Sequence, residues 1–416
     1  MKNILFIETN TTGTGAKAMK IAQKKGYKVH FWTSDIKQYD AIKVNNPLDI
    51  ADEILTIDTY DVEKMMSKIS DENYIFAGVL AFDDYHLIPA TQIAQNLQLT
   101  ASDLHALKLV RYKHLMREYF NKRSQDLLFK QPDFAIVDPD TNRDNIVIKF
   151  PCVLKPVDDS GSNGVSICNS EGELKRALEA EMVRNINERG YSLERKWLIE
   201  EFIQGAEYSA EMLHTSEGWK LISVTQKDIY GIHAVERGHV TSKDLSPIKN
   251  LEEYCVQLLS EFNLQSGAAH IEFIVKDADP YLVEINPRLA GDCIPDLVEM
   301  ATGVDMVEAV LDQAVGMPIH IELQRSKSAA IQFCIPEQLG TYVGVHNIEQ
   351  AENVSGVARI HTINLPFHVE KVSSSYHRLG YVISEGDTPI EASTSAKQAV
   401  SLIQYTVQQE SVIVSK

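Results

Sequence analysis

A chain of 416 residues is too long for one simple hydrophobic core, so two or three packed units are expected. Its 44% hydrophobic and 24% charged residues are ordinary for a globular protein. A net charge of −18 and a pI near 5.2 exclude the basic footprint of a nucleic-acid binder, although local basic groups inside an acidic protein can still take a small anion.

The five cysteines, Cys152, Cys168, Cys255, Cys293 and Cys334, are scattered without C-x-x-C spacing and read as idle buried thiols. The chain opens directly on "MKNILFIETN", without the apolar core of a signal peptide, and no apolar run approaches the ~20 residues of a membrane span. A soluble cytoplasmic protein is expected.

Residues 3–7, "NILFI", predict a buried strand, followed by a glycine-containing turn and a helix with Ala18, Ile21 and Ala22 on one face. "KVHFWTSD" is the next strand, and 74–97 repeats the strand-to-helix pattern. This βαβ order predicts a Rossmann-like parallel sheet with ligands near its strand C-termini. "GTG" at 13–15 could cradle a phosphate or form a plain tight turn; the full G-x-G-x-x-G is missing because residue 18 is Ala. A single helix is expected over 104–123, a strand at 151–157, a polar glycine-rich loop after it, and a helix over 171–189. The strand "KWLIEEFIQG" and a hairpin over 206–229 follow, and 234–242, "AVERGHVTS", reads as loop-like. Helix 250–262, strands 268–276 and 280–285, and a helix over 295–316 come next. The tail reads as short strands and turns with a helix near 390–408.

Four stretches carry chemistry. Lys155 leaves a buried strand and precedes Ser160, Gly161, Ser162, Asn163 and Gly164, whose backbone N–H groups could close over a triphosphate. "LIEEFIQGAEYS" places Glu200 and Glu207 around an apolar segment, either an adenosine slot or a solvated acid pair. Glu272 and Glu284 fall on strands joined by a short turn, so their carboxylates can converge. With the Asn286 oxygen they offer hard ligands suited to Mg²⁺, and Arg288 is then placed to reach a phosphoryl oxygen. Glu236 and His239 are candidates for substrate recognition, the bland alternative being a lone surface histidine.

"VLKPVDDSGSNGV", "LIEEFIQGAEYSAEM", "HIEFIV" and "LVEINPRLAGD", in that order, resemble the ATP-grasp superfamily over roughly residues 105–320. The nearest flavour is the bacterial L-amino-acid ligases (dipeptide synthetases), which share a tail like "HRLGYVISEGDTPIEA" and an E-x-x-H pair like Glu236 and His239. The resemblance implies an α/β chain in three parts: a Rossmann-like domain at 1–103, an ATP-grasp domain at 104–320 with a lid near 151–205, and a C-terminal α+β extension at 321–416. It implies that Lys113 and Lys155 bind phosphates and that Glu200 accepts from the adenine amine. Glu201, Phe202 and Ile203 would line the ring, and Glu207 would hold the ribose. Glu272, Glu284 and Asn286 would bind Mg²⁺, with Mn²⁺ as an alternative, and Arg288 the acyl phosphate. Glu236, His239, Gly291 and Asp292 would border the amino-acid substrate, Asp292 attracting a cationic group. The implied enzyme is an ATP-dependent carboxylate–amine ligase acting on amino acids, with a homodimer as its oligomer. Its rivals are a carboxylase or purine-pathway ligase activating bicarbonate or formate, a regulatory protein that has lost catalysis, and an NAD-dependent oxidoreductase.

Overall fold

The computed structural model describes residues 2–40, 42, 44–123, 127–141, 148–231 and 235–408. At the N-terminus four parallel strands lie in the order Glu53–Thr56, Tyr27–Thr33, Lys2–Ile7, Phe76–Leu80. The first strand is apolar on both faces because both are covered. Ile4 and Phe6 pack with Ala18, Met19 and Ala22 of helix Thr14–Lys24, whereas Leu5 and Ile7 pack with Met65, Ile69 and Ile93. The strand ends therefore open at one edge, where residues 8–12 and 82–85 emerge.

The "GTG" segment is a helix entry. Gly13 takes φ 99° ahead of the helix, and a Cβ on Gly15 would lie 1.7 Å from Thr9 Oγ1, so the first glycine serves the backbone and the second the close approach of the Thr9 side chain.

The helix expected over 104–123 is two helices, Leu104–Arg111 and Lys113–Arg123, broken where Tyr112 is extended. The break lets the Lys113 N–H donate to the Val157 carbonyl at 2.9 Å while Arg111 Nη2 donates to the Asp158 carbonyl at 2.6 Å. The helix expected over 171–189 stops at Met182. Beyond it the chain doubles back, Asn187 N–H bonding the Tyr191 carbonyl at 3.0 Å around Gly190 at φ 74°. These residues flank a small antiparallel sheet in the order Phe134–Val137, Trp197–Glu201, Cys152–Pro156, Ser166–Cys168.

The largest sheet has eight strands: Asp279–Asn286, Ala268–Lys276, Ala206–Thr215, Gly218–Tyr230, Val235–Ser242, Ser328–Phe333, Gly380–Gly386 and Val357–Thr362. Residues 235–242, expected as loop, are thus a central strand bonded on both sides. Polar residues facing a cavity hid the apolar alternation there. Gly238 lets the neighbour approach, since a Cβ would meet the Ile331 carbonyl at 2.8 Å. The helix expected over 295–316 is likewise split, into Ile294–Thr302 and Met306–Ala314, by Gly303 at φ 79° and the Asp305 cap. The last helix, Pro389–Leu402, starts in a Thr388–Glu391 capping box and gives way to the strand Gln404–Gln408. All five cysteines are buried and free.

Candidate active site

A cavity of about 790 Å³ lies where the N-terminal strand ends, the small sheet, the large sheet and the tail meet. Its size suits a small-molecule site. Lys113, Lys155, Ser160, Gly161, Ser162, Glu200, Glu201, Phe202, Ile203, Glu207, Glu236, His239, Glu272, Glu284, Arg288, Gly291 and Asp292 all line it. Gly164 and Asn286 do not.

Glu200 differs from its expected role. It is buried, with Arg117 Nε 2.7 Å from one oxygen and Lys155 Nζ 2.6 Å from the other. Burial opposes its charge, but the two cations hold its pKa down at about 2. Its side chain positions Lys155, and each of its oxygens already accepts from a cation. Burial also lowers the pKa of Lys155, with Glu200 opposing that shift. The Glu201 N–H is taken by the Asp133 carbonyl at 2.8 Å, so this residue does not offer its donor to a base. Around the glycine-rich loop, Gly161, Ser162 and Gly164 have positive φ. Asp159 at its base accepts from Tyr85 Oη at 2.7 Å, Arg184 Nη1 at 2.5 Å and Asn187 Nδ2 at 3.2 Å.

Glu272 and Glu284 are direct partners across the register of two neighbouring strands. Each has a lysine: Lys227 Nζ lies 2.7 Å from Glu272 and Lys113 Nζ 3.1 Å from Glu284. Glu272 is also bonded at 2.8 Å by His270, whose other nitrogen meets Glu211 at 2.9 Å. Burial disfavours the His270 cation, yet the two carboxylates raise its pKa to about 9. Both site carboxylates are held below their ordinary pKa values against burial, Glu272 mainly by Lys227 and His270, Glu284 mainly by Lys113. Burial, with Glu272 and Glu236 in support and Lys227 opposing, pushes Glu207 up to about 7.

Among the described residues no group of three or more His, Cys, Asp or Glu is disposed to hold a metal. Two converging carboxylates nevertheless fit Mg²⁺, which binds through one or two carboxylates plus substrate phosphates. Asn286 donates its amide N–H to Glu284 at 2.8 Å from outside the cavity, so it orients that carboxylate instead of lining the site as expected.

At the other end Arg288 bonds Asp84 through Nε at 2.7 Å and Nη2 at 2.6 Å. Asp292, expected to attract a substrate cation, is already paired. Arg378 reaches both its oxygens at 2.7 and 2.5 Å, and His239 Nε2 lies 3.0 Å away. These partners, working against burial, hold Asp292 well below the usual carboxylate range. Glu236 accepts from Ser375 at 2.7 Å. His239 is buried, not on the surface.

Reading the sequence missed Asp83, Asp84, Arg117, Lys227, His270 and Arg378. The acid pair after the apolar strand in "VLAFDDYH" was a usable signal, sitting where an α/β sheet presents its ligands. Nothing local marked Lys227 or Arg378.

A parallel α/β domain packed with a small and a large antiparallel sheet, all converging on lysines, glutamates and an arginine, defines an ATP-grasp protein. The ATP-grasp domain model matches residues 148–296, and that of the L-amino acid ligase C-terminal domain 2 matches residues 332–408. The chain therefore contains an ATP-grasp domain and an L-amino acid ligase C-terminal domain, and its relatives indicate an ATP-dependent carbon–nitrogen ligase. It is 23% identical to an uncharacterized protein of Sinorhizobium fredii over 98% of this chain and 84% of the relative. It is 27% identical to dapdiamide A synthase of Enterobacter agglomerans over 41% of this chain and 40% of the relative, less than half of either. The structure of an L-amino acid ligase from Bacillus licheniformis superposes with a TM-score of 0.81 at 19% identity, covering 98% of this chain and 99% of that one. Among the described residues no helix is long and apolar enough to cross a membrane.

Proposed function

We propose that the cavity joins the carboxylate of a small acid, an amino acid in the first instance, to an amine through an acyl phosphate. The observation that carries this reading is the convergence of Lys113, Lys155, Arg288 and the Glu272–Glu284 pair in one cavity that the tail also lines. Residues 104–320 would grip the nucleotide, with 1–103 and 321–416 enclosing the substrate end.

In this mechanism a carboxylate oxygen attacks the γ-phosphorus of ATP and the bond to ADP breaks, giving the acyl phosphate. The amine nitrogen then attacks the acyl carbon, the C–N bond forms, phosphate leaves and the nitrogen loses a proton. Such chemistry is mostly positioning and charge neutralisation. Lys155, set by Glu200, and Lys113 would bind phosphate oxygens, and Arg288, set by Asp84, would stabilise the acyl phosphate and the developing oxyanion. Glu207 would accept from the ribose. Glu272 and Glu284 would hold Mg²⁺ or Mn²⁺, which when bound screens phosphate charge. The loop at 158–165 would exclude water from the acyl phosphate.

The test is full-length protein with ATP, Mg²⁺ and the twenty L-amino acids, read as phosphate release and new amides by mass spectrometry. Hydroxylamine in place of the amine should trap the acyl phosphate as a hydroxamate. ADP formation dependent on bicarbonate alone would favour a carboxylase, and nicotinamide turnover without ATP use would overturn the ligase reading.

A further inference from the structure

Three guanidinium groups line the substrate end of the cavity, and they differ in what they have left to give. Arg288 uses all three nitrogens, Nε and Nη2 on Asp84 and Nη1 on the Leu289 carbonyl, which leaves one N–H on each Nη for a phosphoryl oxygen. Arg378 also uses all three, with Nη1 and Nη2 on Asp292 and Nε on the Ser375 carbonyl. Arg189, in the turn that doubles back after Met182, makes every one of its bonds through Nη2. That atom donates to the Thr9 carbonyl at 2.9 Å, to Tyr39 Oη at 3.3 Å and to Asp83 at 3.2 Å. Its Nε and Nη1 make no bond among the described residues, although the side chain is only 9% exposed. A guanidinium carries five N–H donors, and these two nitrogens keep access to the cavity that Arg189 lines, so a ligand there can take them.

Asp83 does not explain the arginine. Its carboxylate is already satisfied by His86 Nδ1, at 2.8 and 3.0 Å, and by the backbone N–H groups of Tyr85 and His86. The surroundings instead fix Arg189 in place. Tyr39, over whose ring it lies at 5.7 Å, is bonded at 2.6 Å to the buried Glu8, which also takes Thr33, Ser34 and Thr59. The consecutive Asp83 and Asp84 thus hold two different guanidiniums at the cavity wall, one from the small-sheet unit and one from the large sheet's edge.

We propose that Arg189 binds the carboxylate of the amine substrate, which is therefore an amino acid or a peptide with a free carboxylate near its amino group. The inference rests on the ligase reading above. Arg288 is assigned there to the acyl phosphate, and the second substrate needs its own anion anchor so that its nitrogen points at the acyl carbon.

The test compares the twenty L-amino acids with their α-amides as amines, in the wild-type protein and in Arg189→Met and Arg189→Lys. Hydroxamate formation with hydroxylamine, which has no carboxylate to anchor, is measured on each preparation and used as the reference for amide yield. The wild type should prefer amino acids to their amides, and Arg189→Met should lower that preference by about tenfold or more, with partial recovery in Arg189→Lys. An unchanged preference in Arg189→Met, or equal losses for amino acids and amides, would make Arg189 a structural clasp and overturn the inference. No hydroxamate from the wild type with any amino acid would overturn the ligase reading and this inference with it.

Discussion

Asp84 and Arg288 are joined by two parallel hydrogen bonds of 2.7 and 2.6 Å, tying the turn after one N-terminal strand to the end of the outermost strand of the large sheet. The pair fixes the guanidinium plane, which a single contact would leave to rotate. Arg288→Ala should abolish turnover, and Asp84→Asn, which keeps the shape but loses the charge, should lower kcat/KM by about 10- to 100-fold. Steady-state kinetics with a thermal melt on each variant checks both. Near-normal activity in Arg288→Ala would remove that residue from the chemistry.

Glu284→Gln should likewise abolish turnover while leaving the fold intact, because one of two converging carboxylates becomes a neutral amide. Isothermal titration with MgATP should show weakened binding, a readout independent of catalysis. Unchanged MgATP affinity together with unchanged activity would refute the metal assignment.

Glu200 sits between Arg117 and Lys155, and Arg117 Nη1 is buried without a partner among the described residues. Replacing one partner of a buried ion pair with an apolar residue leaves the others uncompensated, at a cost of about 3–5 kcal/mol. Glu200→Leu should show that loss in urea denaturation. A loss below about 1 kcal/mol would mean that solvent screens the cluster.

Asp292→Asn should act on stability before it acts on selectivity. Arg378, stacked 3.7 Å from the Phe333 ring centroid, would lose its bidentate counter-ion. The expected cost is about 1.5–3 kcal/mol, the value of hydrogen bonds to a charged group. A switch in preference from basic to neutral substrates without loss of stability would restore Asp292 as a substrate-cation site.

His30 is buried between Tyr74 and Phe76, and burial lowers its pKa despite nearby Glu53. A base with a lowered folded pKa takes up protons more readily when unfolded. Its contribution to stability is therefore full above a pH of about 6.5 and declines as the pH falls below that value. Chemical denaturation at several pH values should show a shallower acid slope in His30→Leu, though not a flat one, since burial lowers His114 and His214 as well. An identical slope in wild type and variant would show that His30 does not titrate.

The legible part of this protein was what short stretches encode. Residues 4–7 of "NILFI" are all apolar because helices cover both sheet faces, and the acids of "HIEFIV" and "YLVEINPR" converge because they are register partners on strands joined by a short turn. The misplaced helix ends have local causes that propensity does not weigh. Tyr112 interrupts a helix to release the Lys113 N–H to Val157, and residues 183–193 leave the helix to form the turn that carries Arg189. The strand at 235–242 was obscured because its cavity-facing residues are polar.

The chain's own order thus pointed to the reaction class: two lysines, paired acids and an arginine follow one another in motifs whose spacing reflects local backbone geometry. Tertiary structure alone decided which charges remain available. Asp292 and Glu200 looked like open acceptors until Arg378, Arg117 and Lys155 arrived from distant segments to occupy them, and Arg189 gave no signal until the fold set it beside Asp83. A side chain's type can be read from the sequence, but its remaining capacity to bind depends on neighbours that only folding supplies.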